Sequence, residues 1–209
     1  MNLCIVYVSE AVRSSIISRF SSLVSPCLVH SFVDSQYNRT GFYLMHPNKL
    51  SLVDNALLLC REAVAELDFQ THTGTHPTLG VIDNICFSPI ADESLDETVE
   101  LARNFGLKLN EATDIPIYFY GAASPDRINL KDIRKSLGYF SLDKGESVSS
   151  GMAISPNIGT NPAPAVSGVS CVGAIPLIVN FNMRFRPQDK RGDIIKVTKA
   201  VRVPNVSIS

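Results

Sequence analysis

Residues 1–121 predict an α+β fold: a mixed β-sheet with amphipathic helices packed on one face. Two observations carry this expectation. Hydrophobic periodicity switches along the chain in the order β-α-β-β-α-β-α-β, which mixes hairpin-like pairs with crossovers. The glycine-rich turns G-x-G-x-x-G after the first strand and G-x-x-x-x-G-K-[ST] are both absent, which counts against a doubly wound nucleotide fold.

The elements follow in order. Residues 2–8 are a short apolar run, as in a buried strand. Ser9 or Glu10 then opens a helix in which Val12, Ile16, Ile17, Phe20, Leu23 and Val24 recur at helical spacing, and Pro26 stops it. Residues 27–32 and 41–45 read as strands. Ser51 is the expected cap of the next helix, with Asp54 three residues on. Its apolar stripe is Leu52, Ala56, Leu59, Cys60, Ala63 and Leu67. A strand at 81–87 ends at Pro89. Ser94 and Glu97 form a capping box for a helix over 94–110, lined by Leu95, Val99, Ala102, Phe105 and Leu109. Residues 115–120 read as a strand closed by Gly121, and its early Pro116 favours a sheet edge or the first residues of the strand. A helical turn is expected over 130–137, and a long Gly/Ser/Pro/Ala/Asn-rich loop over 149–173. Residues 175–183 are the last strong strand. The tail carries Arg184, Arg186, Lys190, Arg191 and Lys196, and its 194–203 portion reads as one more strand.

Composition narrows the function classes. The chain has 209 residues, 45% of them hydrophobic and 19% charged, which suits a globular domain with a sizeable core. A net charge of -1 gives no global field toward nucleic acid or an acidic membrane, and neither is an expected partner. No window approaches the roughly 20 apolar residues that span a bilayer. The five cysteines are scattered without a C-x-x-C pair, so they read as buried free thiols of a reducing compartment. A cytoplasmic location is expected. The Ser- and Arg-bearing first 25 residues have some transit-peptide character, but they read better as a strand and helix of the domain.

The chemistry concentrates in Thr71-His72-Thr73-Gly74-Thr75-His76-Pro77-Thr78-Leu79-Gly80, which holds two of the four histidines. Histidine takes and gives a proton near neutral pH, and glycine and proline fix a non-repetitive turn around it. His72 and His76 have an i,i+4 spacing that zinc uses on a helix, but Gly74 and Pro77 argue against a helix there, so no metal is expected. His30 and His46 read as structural, and Tyr118 and Tyr120 as core.

His-x-Gly-x-His-Pro-x-x-Gly, running on to Asp83 and Pro89, resembles the signature of the formiminotransferase N-terminal subdomain family. Asn38-Arg39-Thr40 resembles the family's Asn-Arg-Thr. Ser94-Leu-Asp-Glu, Ala102, Phe105-Gly106, Leu109, Glu111 and Ile115-Pro-Ile-Tyr-Phe-Tyr-Gly121 follow its helix-strand unit. Pro156-Asn-Ile-Gly159 through Gly168, and Gly173 to Asn180-Phe-Asn182, resemble its loop and crossing strand. The N-terminal Cys4-Ile-Val-Tyr-Val-Ser-Glu10 is closer to the shorter, plant-type relatives. Two positions depart from the pattern. Phe32 stands where the family commonly has aspartate, and Ala11 where it has glycine.

The resemblance implies two similar α/β subdomains whose sheets face a folate-holding tunnel. Residues 1–174 would be the N-terminal subdomain. Residues 175–209 would be the first strand of a shortened C-terminal subdomain plus an unmatched tail. The implied activity is that of the folate-dependent glutamate formiminotransferase of histidine catabolism, moving a formimino group from N-formiminoglutamate to N5 of tetrahydrofolate. His76 would be the catalytic acid–base group, supported by His72 and Asp83. Folate would contact Gly159-Thr160-Asn161-Pro162-Ala163-Pro164-Ala165-Val166-Ser167-Gly168. Substrate and folate are both carboxylates, so a cation is needed, and Arg39 between Asn38 and Thr40 is the expected one. The implied partners are the small-molecule substrate and folate, with a second copy or a full-length paralogue as protein partner. The alternative is a non-catalytic folate-binding or regulatory module.

Overall fold

The N-terminal strand β1 (Asn2–Val8) pairs on both sides, antiparallel to β3 (Arg39–His46) and to β4 (Ile82–Pro89). A computed structural model describes residues 1–138, 154–181, 190–200 and 206–208. The chain divides into Met1–Ile175 and Pro176–Ser209. In the first unit β2 (Leu28–Asp34), β5 (Ile117–Gly121) and β6 (Ser170–Ala174) complete a six-stranded sheet of order β2-β3-β1-β4-β6-β5. The β2–β3 pair is antiparallel, whereas β4–β6 and β6–β5 are parallel, so the sheet is mixed.

Register explains why one face is dry. Val6 lies opposite Phe42 on one side and Ile85 on the other, and Cys4 lies opposite Leu44 and Phe87, so period-2 alternation sends all six side chains the same way. The helices α1 (Ser14–Leu23), α2 (Lys49–Glu66) and α3 (Leu95–Thr113) lay Phe20, Leu52, Ala56, Leu59, Phe105 and Leu109 on that face. Phe87 meets Phe105 edge-on with ring centroids 5.3 Å apart, and Phe20 meets Phe42 at 6.4 Å. Burying each such large side chain contributes about 1.5–3 kcal/mol. The α+β architecture expected from periodicity is therefore the one observed. On the opposite face the short helix α4 (Leu130–Ser136) packs Ile133 with Leu79, Tyr118, Tyr120 and Cys171.

Three expectations for this unit are corrected. The first helix begins at Ser14, not at Ser9 or Glu10. The Glu10 carboxylate instead accepts the N–H groups of Val12 and Arg13 at 2.8 and 2.9 Å, which turns the chain before the helix and leaves Val12 exposed. Asn48, not Ser51, caps α2, because its side chain accepts from Leu50 and Ser51 N–H. The loop expected over 149–173 contains β6 within its last residues. Small residues suit that strand: it is buried between two parallel neighbours, and Gly173 leaves room for the Tyr120 ring.

In the second unit, β7 (Val179–Phe181) pairs in parallel with β8 (Val206–Ile208), and α5 (Arg191–Ala200) intervenes in the chain. Helix α5 takes up residues 194–200 of the strand read over 194–203, the rest lying outside the described residues, and its first turn is closed by Asp193 and Ile194 N–H groups donating to the Lys190 carbonyl. The strand read over 175–183 is shorter, since Pro176 has no N–H to give a ladder. Residues 182–189, with Arg184 and Arg186, lie outside the described residues.

Candidate active site

After α2 the chain makes one 3-10 turn, Phe69–Thr71, capped by Asp68, and then runs without helix through the histidine segment into β4. This turn is held from three sides. From the end of β1, the Ser9 hydroxyl donates to the Gly80 carbonyl at 2.7 Å and shares a 2.8 Å hydrogen bond with the Thr78 hydroxyl. From the β2–β3 connection, the Asn38 amide donates to the Thr73 carbonyl at 2.9 Å, and Thr75 donates its N–H and its hydroxyl to the Gln36 carbonyl. From the 159–168 loop, Val166 and Ser167 offer carbonyls to Phe69 and Val81 N–H, both at 2.8 Å.

The two histidines of the turn differ. His72 Nδ1 lies 3.2 Å from the Ser9 carbonyl, which can only accept, so the neutral ring keeps its lone pair on Nε2. That Nε2 is buried and has no hydrogen-bond partner among the described residues. Burial pushes the His72 pKa below its ordinary value, against the opposing pull of the Ser9 carbonyl and the Glu10 and Asp83 carboxylates. His72 is thus a neutral, packed residue. His76 Nδ1 donates to the Pro77 carbonyl at 2.9 Å, and its ring lies 4.4 Å from that of Tyr37. His76 opens onto a cleft of about 370 Å³ lined by Phe69, His72, Thr73, Gly74, Pro77 and Thr78. An adjoining cleft of about 230 Å³ shares Phe69, His72 and Thr73 and reaches Glu10, Arg13 and Asp68.

The Asn38-Arg39-Thr40 triplet divides its labour. Asn38 adopts φ 49° and accepts the Ala11 N–H at 2.7 Å, while Thr40 donates to the Glu10 carbonyl at 2.6 Å. Both side chains thus tie the β3 start to the β1 end. Arg39 points elsewhere. Its guanidinium sits 3.3 Å from Asp83 and within 5.5 and 5.6 Å of the Tyr7 and Tyr37 ring centres. Asp83 is fully buried, and its other oxygen accepts the Leu79 N–H at 3.0 Å. The same carboxylate binds Arg134 from α4 at 2.5 Å. Asp83 therefore organises two arginines and the end of the histidine turn. Beside them burial, then Tyr43, pushes the Tyr7 hydroxyl up, so that it stays protonated.

The 159–168 loop starts against β5, where Asn157 accepts the Phe119 N–H at 2.7 Å and Ile117 bonds to Ile158. Asn161 hydrogen bonds to the Tyr118 hydroxyl at 3.4 Å. The loop ends at Gly168, φ 70°, which forms a bridge with Gly80. The structure thus brings the loop, the histidine turn and the Asn38-Arg39-Thr40 segment together. His30 pairs with Tyr43 at 5.4 Å and His46 accepts the Asn48 N–H, both away from these clefts.

Sequence reading did not single out Tyr37, Arg134 or Ser9 as site residues. Asp83 carried a usable signal, since a charge inside an apolar strand run needs a buried cation. Nothing in the sequence says that Arg134, 51 residues on, supplies it.

A family model described as the formiminotransferase domain, N-terminal subdomain, matches residues 1–175. The chain belongs to this family. The formiminotransferase match takes in the whole six-stranded sheet, the histidine turn and the 159–168 loop. A formiminotransferase cyclodeaminase-like protein of Arabidopsis thaliana is 28% identical over 200 residues, 89% of this chain and 67% of its own. A glutamate formimidoyltransferase of Streptococcus pyogenes is 29% identical over 196 residues, 93% of this chain and 64% of its own. The formimidoyltransferase-cyclodeaminase of Rattus norvegicus is 34% identical over 137 residues, 63% of this chain and 25% of its own. The chain thus spans about two thirds of the plant and streptococcal proteins and a quarter of the rat one. Among the described residues of this formiminotransferase subdomain, no His/Cys/Asp/Glu group is placed to hold a metal ion and no helix is long and apolar enough to cross a membrane.

Proposed function

We propose that this chain takes part in folate-dependent transfer of a formimino group from N-formiminoglutamate to tetrahydrofolate, with His76 as the acid–base group. The observation that carries the reading is the joining of the histidine turn to the 159–168 loop through Gly80–Gly168 and Val81–Ser167, which sets the acid–base candidate beside the folate-binding candidate. One polar group at this junction has unused hydrogen-bonding capacity. The Ser167 hydroxyl, next to the Gly80–Gly168 bridge, is buried without a hydrogen-bond partner among the described residues.

Tetrahydrofolate supplies a nucleophilic N5, which forms the new bond to the formimino carbon while the bond to the glutamate nitrogen breaks. His76 accepts the N5 proton and returns it to the departing nitrogen, so one imidazole closes the proton balance. With Nδ1–H held by the Pro77 carbonyl, Nε2 is the basic atom. A positioned base of this kind contributes about 10²–10⁴-fold. Loop residues 159–168 hold the folate, and Arg39, braced by Asp83, supplies positive charge for a ligand carboxylate. His72 and Asp83 act on the turn and on Arg39.

The test is transfer from N-formiminoglutamate to tetrahydrofolate by the purified chain, alone and with a full-length relative. His76→Ala abolishes turnover and keeps folate binding. Folate binding without transfer under both conditions moves the chain to the alternative, a non-catalytic folate-binding module. Absence of folate binding sinks both readings.

A further inference from the structure

We infer that Tyr37, in the β2–β3 connection, is a positioning residue that sets the ring plane of His76. The inference rests on the reading of His76 as the acid–base group.

Tyr37 is placed by contacts that do not involve His76. The Asp34 carboxylate accepts the Tyr37 and Gln36 N–H groups at 2.9 and 3.0 Å, which folds the connection into a tight turn. Arg39 lies on the Tyr37 ring at 5.6 Å while bound to buried Asp83. A guanidinium at that distance is attracted to the ring face and fixes its orientation. The histidine segment is then laid on this turn. Thr75 hangs from the Gln36 carbonyl, and Gly74 passes so close that a Cβ there would stand 2.5 Å from the Tyr37 carbonyl oxygen. These backbone contacts deliver His76 to Tyr37, with ring centroids 4.4 Å apart and planes inclined by 37°.

The Pro77 carbonyl holds one nitrogen of His76, and the Tyr37 ring lies against the imidazole itself. An aromatic ring at that distance restricts tilting of the imidazole plane. The chain of contacts runs Asp83, Arg39, Tyr37, His76, so the buried carboxylate reaches the acid–base group through a tilted aromatic contact. A group that must face N5 and then the departing nitrogen depends on such alignment, and a displacement of about 1 Å can cost 10²-fold.

The experiment compares wild type, Tyr37→Ala, Tyr37→Leu and Tyr37→Phe. Proton–carbon NMR of the histidine ring C–H groups is recorded, with His76 assigned by its loss in His76→Gln. The Tyr37 ring 4.4 Å away predicts a ring-current displacement of the His76 signals, kept in Tyr37→Phe and lost in the Ala and Leu variants, while the His72 signals stay in place. In the transfer assay the Ala and Leu variants lose about tenfold or more in kcat with KM little changed, and Tyr37→Phe restores kcat. The His72 signals identify any variant whose turn has collapsed, and the other non-aromatic variant is then read. His76 signals unchanged in an intact Ala or Leu variant, or full kcat in either, overturns the inference. If the wild type transfers nothing, the proposed reaction fails while the NMR comparison still decides the positioning.

Discussion

Gly80 and Gly168 meet in an antiparallel bridge with no room for a side chain between them. A Cβ on Gly80 would stand 2.5 Å from the carbonyl oxygens of both Ser167 and Val169. This contact joins segments nearly ninety residues apart and fixes the loop on the histidine turn. Gly80→Ala is expected to cost about 1–3 kcal/mol, the usual range for forced overpacking. Urea unfolding measures it. Gly192→Ala, where a Cβ meets nothing within 4 Å, is the control and leaves the midpoint unchanged or slightly raised. Equal midpoints for the two variants would contradict the close approach.

Asp83 is buried between Arg39 and Arg134 and also takes the Leu79 N–H. Removing one partner of a buried ionic cluster strands the others, so Asp83→Ala is expected to destabilise by about 3–5 kcal/mol. Asp83→Asn keeps an oxygen for Leu79 and loses less. The order wild type, Asn, Ala in unfolding midpoint is the expected result, and an Ala variant as stable as wild type would contradict it.

Two groups give the subdomain acid-dependent stability in separate windows. Burial depresses the His72 pKa, so the unfolded chain takes up that proton first. Stability from neutral His72 is complete above the unfolded value of about 6.5 and drains as pH falls through the lower folded value. Burial works to raise the Glu10 pKa, but hydrogen bonds from the Arg13 backbone and side chain and from Val12 N–H outweigh it and hold the carboxyl below its ordinary value. Its contribution is complete above the unfolded value of about 4.3 and is lost as pH falls through the folded one. In a stability–pH profile, His72→Gln flattens the upper limb and Glu10→Gln the lower. A profile with the same slopes in both variants would refute the assignment.

The start of α2 offers a direct comparison of two candidate caps. Asn48 accepts the Leu50 and Ser51 N–H groups at 2.8 and 3.1 Å. Asn48→Ala is expected to cost about 1 kcal/mol, and Ser51→Ala less than about 0.5 kcal/mol. Thermal midpoints of the two variants decide between them.

Much of the sheet was legible from periodicity. The apolar run of β1 and the stripe of α2 mark buried residues, as do Ala102, Phe105 and Leu109 of the α3 stripe, and Ser94 caps α3 with its hydroxyl 3.1 Å from Glu97 N. Pro116 was compatible with the edge position of β5, which the pairing order decided. The strand β6 was not legible, because Ser-Cys-Val-Gly-Ala carries little β signal of its own and becomes a strand by insertion between β4 and β5. The first turn of α1 was misplaced because Glu10 has the composition of a helix opener but caps the chain just before it.

The sequence by itself determined the α+β class, the family and the segments that carry chemistry: the histidine turn, Asn38-Arg39-Thr40 and the loop from Gly159. Tertiary structure alone decided their partnerships. It bound Asp83 to Arg39 and Arg134, turned Asn38 and Thr40 toward the end of β1, left His72 packed and neutral, and set Tyr37 against His76. The physical reason is that periodicity records which face of a segment is buried. Which distant segment covers that face is settled only when sheet pairing brings the loops together, and close-range bonds then select among them.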